Sequence, residues 1–219
     1  QEGMQAVNNS DFAIGQFRFL ERLLLVHGRW NLKRMSCLVL YMFYKVNLFG
    51  LSQLFFASFV AGWSGQKMYN EMCVQAYNIV YTCLPIVLLG VYDQDVPAHY
   101  ALKVPQLYWR GREGHMFNRR VFWQWMACAI YHAILILAFP LLIYWNDLTV
   151  GSSGRTLGMW SRGCLSWTCV VLVANLKILL LQNSWHKAEI IVLVLTVIMW
   201  PITGYIFDII PMPDYANLN

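Results

Sequence analysis

The chain has 219 residues and a formal net charge of +5; 58% of it is hydrophobic, 16% aromatic and only 12% charged. About a quarter of an ordinary soluble domain is charged, so this much apolar surface argues against a single small water-soluble core. No basic stripe with spaced aromatic residues accompanies the positive charge, which argues against nucleic acid as a partner.

Residues 1–34 form a mixed polar and apolar segment. Ser10 is a plausible helix N-cap, and Phe12, Phe17, Leu20 and Leu24 recur near helical spacing with Arg18, Glu21 and Arg22 between them. A short amphipathic helix is predicted within about residues 11–27, ended by His27-Gly28-Arg29. The segment has no basic stretch before an apolar core, so it does not read as a signal peptide. The chain opens on Gln1 rather than Met, and a fragment of a longer protein is expected.

Five apolar stretches follow, at about 35–61, 72–91, 121–145, 160–181 and 190–207. The hydrocarbon core of a bilayer needs about 20 helical residues, and these stretches lack the polar face that a helix of a soluble protein would carry. The predicted fold class is therefore all-α, a polytopic transmembrane bundle of five spans, with no β-sheet. Trp63, Trp123, Trp145, Trp160 and Trp185 lie near span ends, where amphipathic rings favour the membrane interface.

Orientation follows from the basic residues of the connections. Residues 1–34 carry Arg18, Arg22, Arg29, Lys33 and Arg34; the 92–120 connection carries Lys103, Arg110, Arg112, Arg119 and Arg120; the 182–189 loop carries Lys187. The opposite loops carry only Lys67 and Arg155, with Arg162 near a boundary. The positive-inside rule then places the N-terminal segment in the cytosol and loops 62–71 and 146–159 on the other side.

Two lysines lie within spans, where a charge costs at least about 2.5–3.5 kcal/mol. Lys45 is about 15 Å into the first span, near the midplane. Lys177 is close enough to the end of its span for its stem to reach the interface. At 100° per residue, Tyr41, Lys45, Phe49 and Ser52 share one face of the first span. The second span contributes Tyr77, Asn78 and Thr82, and Pro85 interrupts its backbone ladder; a broken helix exposes carbonyls that can line a pathway, although a simple packing kink would read the same way. The cation and its polar neighbours suit an anionic or zwitterionic substrate, or a fixed structural contact.

Other features carry less. The six cysteines show no CxxC or paired spacing and the five histidines no ligand spacing, so neither a disulfide framework nor a metal site is expected. The Gly151-Ser152-Ser153-Gly154-Arg155-Thr156 run lacks the P-loop pattern and reads as a loop. The Asn8-Asn9-Ser10 sequon falls on the cytosolic side, away from glycosylation.

Several motifs are more specific. Glu2-Gly3-Met4-Gln5-Ala6, Ser10-Asp11-Phe12-Ala13-Ile14, Gln16-Phe17-Arg18-Phe19-Leu20 and Leu24-Leu25-Val26-His27-Gly28-Arg29-Trp30 open the chain. Phe43-Tyr44-Lys45, Trp63-Ser64-Gly65-Gln66, Tyr77-Asn78, Thr82 with Pro85, Tyr92-Asp93-Gln94 and Pro105-Gln106-Leu107-Tyr108 follow. Looser similarity runs through Val121-Phe122-Trp123, Tyr131-His132 and Lys177 to Pro211-Met212-Pro213-Asp214. Together they resemble the type IV P-type ATPases, the phospholipid flippases, over essentially the whole chain.

The resemblance implies that residues 1–34 link a phosphorylation domain to the membrane and that residues 35–219 are the C-terminal transmembrane domain, holding the family's fifth to ninth spans. It implies ATP-driven movement of phospholipid from the exoplasmic to the cytosolic leaflet in a eukaryotic endomembrane or plasma membrane. ATP and magnesium serve the intact protein through DKTGT and TGES-type sequences that this chain does not contain. Lys45, Asn78, Thr82, Ser52 and Pro85 are the expected substrate-pathway residues. A two-span glycosylated accessory beta subunit is the expected partner, docking on loops 62–71 and 146–159. Two positions depart from the family pattern: Val46 stands where Asn usually follows the mid-span lysine, with Asn47 one further on, and Pro85 is followed by Ile86 rather than a second proline. A cation pump would carry acidic residues in these spans, and the first, second and fourth have none. A channel or a structural membrane subunit shares the composition but does not account for the opening motifs.

Overall fold

The computed structural model describes residues 2–143 and 158–209, and among these the structure is helical without strands. A short exposed helix, α1 (Glu2–Asn8), comes first. The Ser10 hydroxyl donates to the Val7 carbonyl at 3.1 Å and so closes α1 instead of capping a following helix. Helix resumes at α2 (Phe19–Arg22), passes through a widened stretch at Leu23–Gly28, and continues as α3 (Arg29–Phe55) and a second widened stretch at Phe56–Val60.

The break predicted at His27-Gly28-Arg29 is absent. Gly28 keeps right-handed helical angles (φ −60°, ψ −43°), and one unbroken rod of 42 residues runs from Phe19 to Val60. Its length, about 63 Å, is twice the hydrocarbon thickness. Tertiary anchors hold the region straight: the Trp30 indole donates to the Val96 carbonyl at 2.9 Å, and Arg29 pairs with Asp95 at 2.7 Å. The rod ends where Gly62 and Trp63 adopt left-handed angles (φ 57° and 64°), with the Trp63 amide donating to the Ala57 carbonyl at 2.8 Å.

The second membrane-length element is composite: α4 (Glu71–Ala76), a widened stretch at Tyr77–Tyr81, and α5 (Cys83–Tyr92). Asn70 caps α4 by accepting the Met72 amide at 2.9 Å. The helical path breaks at Thr82 (φ −136°, ψ −10°). Two short helices, α6 (Ala98–Lys103) and α7 (Trp109–Arg112), occupy the basic connection. The last three long helices are α8 (Arg119–Ile143), α9 (Met159–Leu181) and α10 (Lys187–Ile209). Five helical segments are long and apolar enough to cross a membrane. Residues 144–145 of the third expected span and nearly all of the 146–159 loop lie outside the described residues, as do residues 211–214.

The core lies among α3, the second element, α8 and α9. It is built on Tyr41, Tyr44, Leu48, Tyr77, Tyr81, Trp167, Val170 and Val171. α8 runs closest to α3, and its fully buried Ala129 and Ala133 are the small residues that permit close approach. Outward positions are also apolar, with Ile79, Leu142 and Leu180 at 74%, 73% and 83% exposure. Water would not tolerate such a surface, whereas acyl chains do.

Gly163 fixes how α9 meets the 62–70 loop. A Cβ there would collide with the Met68 carbonyl, which is backbone and cannot swing away. Met68 is itself held through its amide, which donates to Gln53 Oε1 at 2.9 Å. Gly163→Ala is therefore expected to destabilise the full-length protein by about 1–3 kcal/mol, the usual range for overpacking. Thermal unfolding in detergent checks this; an unchanged midpoint would show that the loop yields.

Candidate functional site

Lys45 is 2% exposed and sits on the inner face of α3 with Tyr41 and Ser52, at 1% and 0%. Its ammonium donates to Thr82 Oγ1 at 2.9 Å, and the Thr82 hydroxyl in turn donates to the Tyr77 carbonyl at 2.8 Å. The Tyr77 ring lies beneath the ammonium, 5.9 Å from its centroid, and the Tyr77 hydroxyl donates to the Lys45 carbonyl at 3.3 Å. At the helix break the Thr82 hydroxyl both donates to the Tyr77 carbonyl and accepts from Lys45, so it links the two spans. No carboxylate pairs with Lys45 among the described residues. An ammonium carries three donors, and one of them is used here.

Pro85 cannot donate to the carbonyl four residues back, that of Tyr81. Asn175 of α9 fills the vacancy: its Nδ2 donates to the Tyr81 carbonyl at 3.2 Å and to the Val171 carbonyl at 2.9 Å. Thr196 of α10 donates to Asn175 Oδ1 at 3.4 Å. Asn175 is 1% exposed and ties three helices at the proline break. Sequence reasoning missed it, although a lone amide within an apolar span was the available signal. Asn175→Ala is expected to lower stability by about 1–2 kcal/mol, since the Tyr81 carbonyl then has no donor. Thermal unfolding tests this, with Asn175→Gln expected to recover little because its amide is displaced by a methylene.

The other expected residues separate into different places. Ser52 bonds Tyr69 across 2.7 Å, and Tyr69 bonds Ser166 across 3.0 Å, a hydroxyl chain about 10 Å along α3 from Lys45. Burial pushes the Tyr69 phenol above its ordinary pKa, so it remains a donor. Asn78 was expected beside Lys45; instead it is exposed on the outer face of this chain, and Thr82 takes that place. Val46 is 43% exposed, and Asn47 turns its amide to the Phe43 carbonyl at 2.8 Å and Met126 Sδ at 3.7 Å, away from Lys45.

Lys177 does not reach for the interface. Its ammonium stands 4.9 Å from the Trp125 ring centroid and 5.4 Å from that of Tyr44, with Cys128 Sγ at 3.7 Å. The Cα–Cβ bond of a helical residue tilts toward the helix N-terminus, which from Lys177 means inward. Tyr44 is in turn bonded to His132 Nδ1 at 2.5 Å.

Comparison with known proteins identifies the family. Residues 7–218 match the family described as phospholipid-translocating P-type ATPase C-terminal. Probable phospholipid-transporting ATPase 7 of Arabidopsis thaliana is 36% identical over 217 residues, covering 99% of this chain and 17% of its own length. Phospholipid-transporting ATPase 6 of the same plant is likewise 36% identical, covering 99% of this chain and 17% of its own. Phospholipid-transporting ATPase DRS2 of Saccharomyces cerevisiae is 34% identical over 217 residues, covering 99% of this chain and 15% of its own. The chain thus spans about a sixth of the length of the curated relatives it matches. With the family matched over almost every residue and five membrane-length helices in place, the chain belongs to the type IV P-type ATPases, as their C-terminal transmembrane region.

Proposed function

We propose that this chain is the membrane transport half of an ATP-driven phospholipid flippase that moves lipid from the exoplasmic to the cytosolic leaflet. The observation that carries the reading is Lys45: a buried ammonium deep in a span, positioned by Thr82 and Tyr77 but paired with no carboxylate among the described residues. An unpaired charge at that depth is expensive unless an anion completes it, and a lipid phosphate or carboxylate meets that need. Thr82 and the Pro85 break position the cation; Asn78 faces outward, toward where further spans of a longer protein would complete the headgroup path. Ser52 lies in the same face at the far end of that path.

The ATP and magnesium of the intact protein belong to other parts of it. The residues present do not fit either group: DKTGT is absent from the sequence, and among the described residues no three His, Cys, Asp or Glu side chains come together. Basic residues concentrated in the 1–34 and 92–120 segments support a cytosolic N-terminal side. A two-span glycosylated accessory beta subunit is proposed to dock on loops 62–71 and 146–159. Coexpression with such a subunit should increase exit of the full-length protein from the endoplasmic reticulum, and indifference to it counts against docking.

The function itself is tested with the full-length protein in vesicles carrying a fluorescent phospholipid in both leaflets. With ATP and a membrane-impermeant quencher both added outside, probe should move from the inner leaflet into the outer, ATP-facing leaflet, so the quenchable fraction should rise. Hydrolysis without probe movement would refute transport.

A further inference from the structure

At the end of the bundle away from Arg29, a cavity of about 290 Å³ opens between the Phe56–Val60 end of the first rod, the C-terminal part of α8 and the start of α9. Phe56, Leu137, Pro140, Leu141 and Met159 form an apolar wall, and Arg162 supplies the charge. Val60 at the rim is 43% exposed, so the cavity communicates with the outer surface of the bundle.

Arg162 forms no ion pair among the described residues, and its Nε is buried without a hydrogen-bond partner. The neighbouring polar group, the Ser166 hydroxyl, is already engaged with Tyr69 at 3.0 Å and the Ile136 carbonyl at 3.4 Å. The first turn of α9 also carries no acidic residue to neutralise the cation or the helix dipole. Leaving the buried Nε of a half-buried guanidinium unbonded beside hydrocarbon is costly unless an anion meets it.

We propose that this cavity binds a glycerophospholipid of the leaflet away from the N-terminal segment. The phosphodiester sits on Arg162, whose planar fork matches a phosphate, and one acyl chain lies against Phe56, Leu137 and Leu141. The volume is at the small end for a ligand pocket, about 300 Å³, which suits one acyl chain and leaves the other in the bilayer. This place is distinct from Lys45, which is engaged by Thr82 and Tyr77 farther along α3. It requires only that the helices sit in a membrane, and no part of it depends on ATP.

The test uses the full-length protein in phosphatidylcholine nanodiscs, without ATP, and two photoactivatable probes bearing a diazirine on one acyl chain: a phosphatidylcholine and the diacylglycerol that lacks its headgroup. Phosphatidylcholine is expected to label peptides containing 56–60, 137–141 and 159–166, and diacylglycerol to label them weakly. Arg162→Gln should lower phosphatidylcholine labelling about tenfold, whereas Arg162→Lys should keep most of it. Leu141→Trp fills the cavity from α8 without touching the charge and should also suppress labelling, which decides the matter if the arginine variant fails to fold. Equal labelling by the two probes, unchanged labelling in Arg162→Gln or Leu141→Trp, or a copurifying protein crosslinked in place of lipid would each overturn the proposal. Labelling is read separately from lipid-stimulated hydrolysis, so a failure here leaves the transport reading to its own assay.

Discussion

In the full-length protein, Lys45→Ala is expected to lower lipid-stimulated ATP hydrolysis by about tenfold to a hundredfold while leaving phosphorylation by ATP intact. The magnitude is that of one hydrogen bond to a charged group, about 1.5–3 kcal/mol, lost from the lipid-bound state. Phosphorylation persists because its sequences lie outside this chain. Lys45→Arg should not rescue: the site is 2% exposed, with Thr82 and Tyr77 already in contact, and a guanidinium is bulkier and differently hydrated. Lys177→Ala should cost about threefold, because its cation–π contacts support Tyr44, the residue beside Lys45, rather than meeting substrate. The checks are ATPase activity in reconstituted vesicles and phosphoenzyme level at equal expression. Full stimulation in Lys45→Ala together with its loss in Lys177→Ala would mean that the two lysines have exchanged roles.

The spans were legible because the bilayer imposes a length and an all-round apolarity that few other folds satisfy. Lys45 and Pro85 stood out for the same reason, as violations of that uniformity. What a single segment cannot encode is which distant group answers each violation. Thr82 rather than Asn78 meets Lys45 because the path breaks at Thr82, and a residue count at 100° per residue does not register a widened turn. Asn175 answers Pro85 from 94 residues away from the carbonyl it bonds. The N-terminal helix was misplaced because Ser10 offers a cap signal locally, whereas Arg29 and Trp30 are held across 66 residues of sequence by Asp95 and Val96. Lys177 was misjudged by counting residues to the span end without the direction in which a helical side chain leaves its backbone.

Asp95→Ala is the substitution expected to damage stability most, by about 3–5 kcal/mol, through the charge it leaves behind. Arg29 and Asp95 have side chains only 7% exposed each and meet at 2.7 Å, and Arg29 also donates to the Leu107 carbonyl at 2.5 Å. The pair therefore fastens the start of α3 to the 92–108 connection. Lys33 approaches the same carboxylate at 3.7 Å but is 32% exposed, so it cannot replace what Arg29 loses. Asp95→Asn keeps an acceptor and should cost less than Asp95→Ala. The double variant Arg29→Leu with Asp95→Ala should recover part of the loss, since no buried charge is then left unpaired. Thermal unfolding of the full-length protein in detergent reads all three, and added salt distinguishes this pair from a surface one, because burial shields it from screening. A loss in Asp95→Ala that vanishes at high salt, or a double variant worse than the two single losses combined, would show that the pair does not hold the connection by its buried charge.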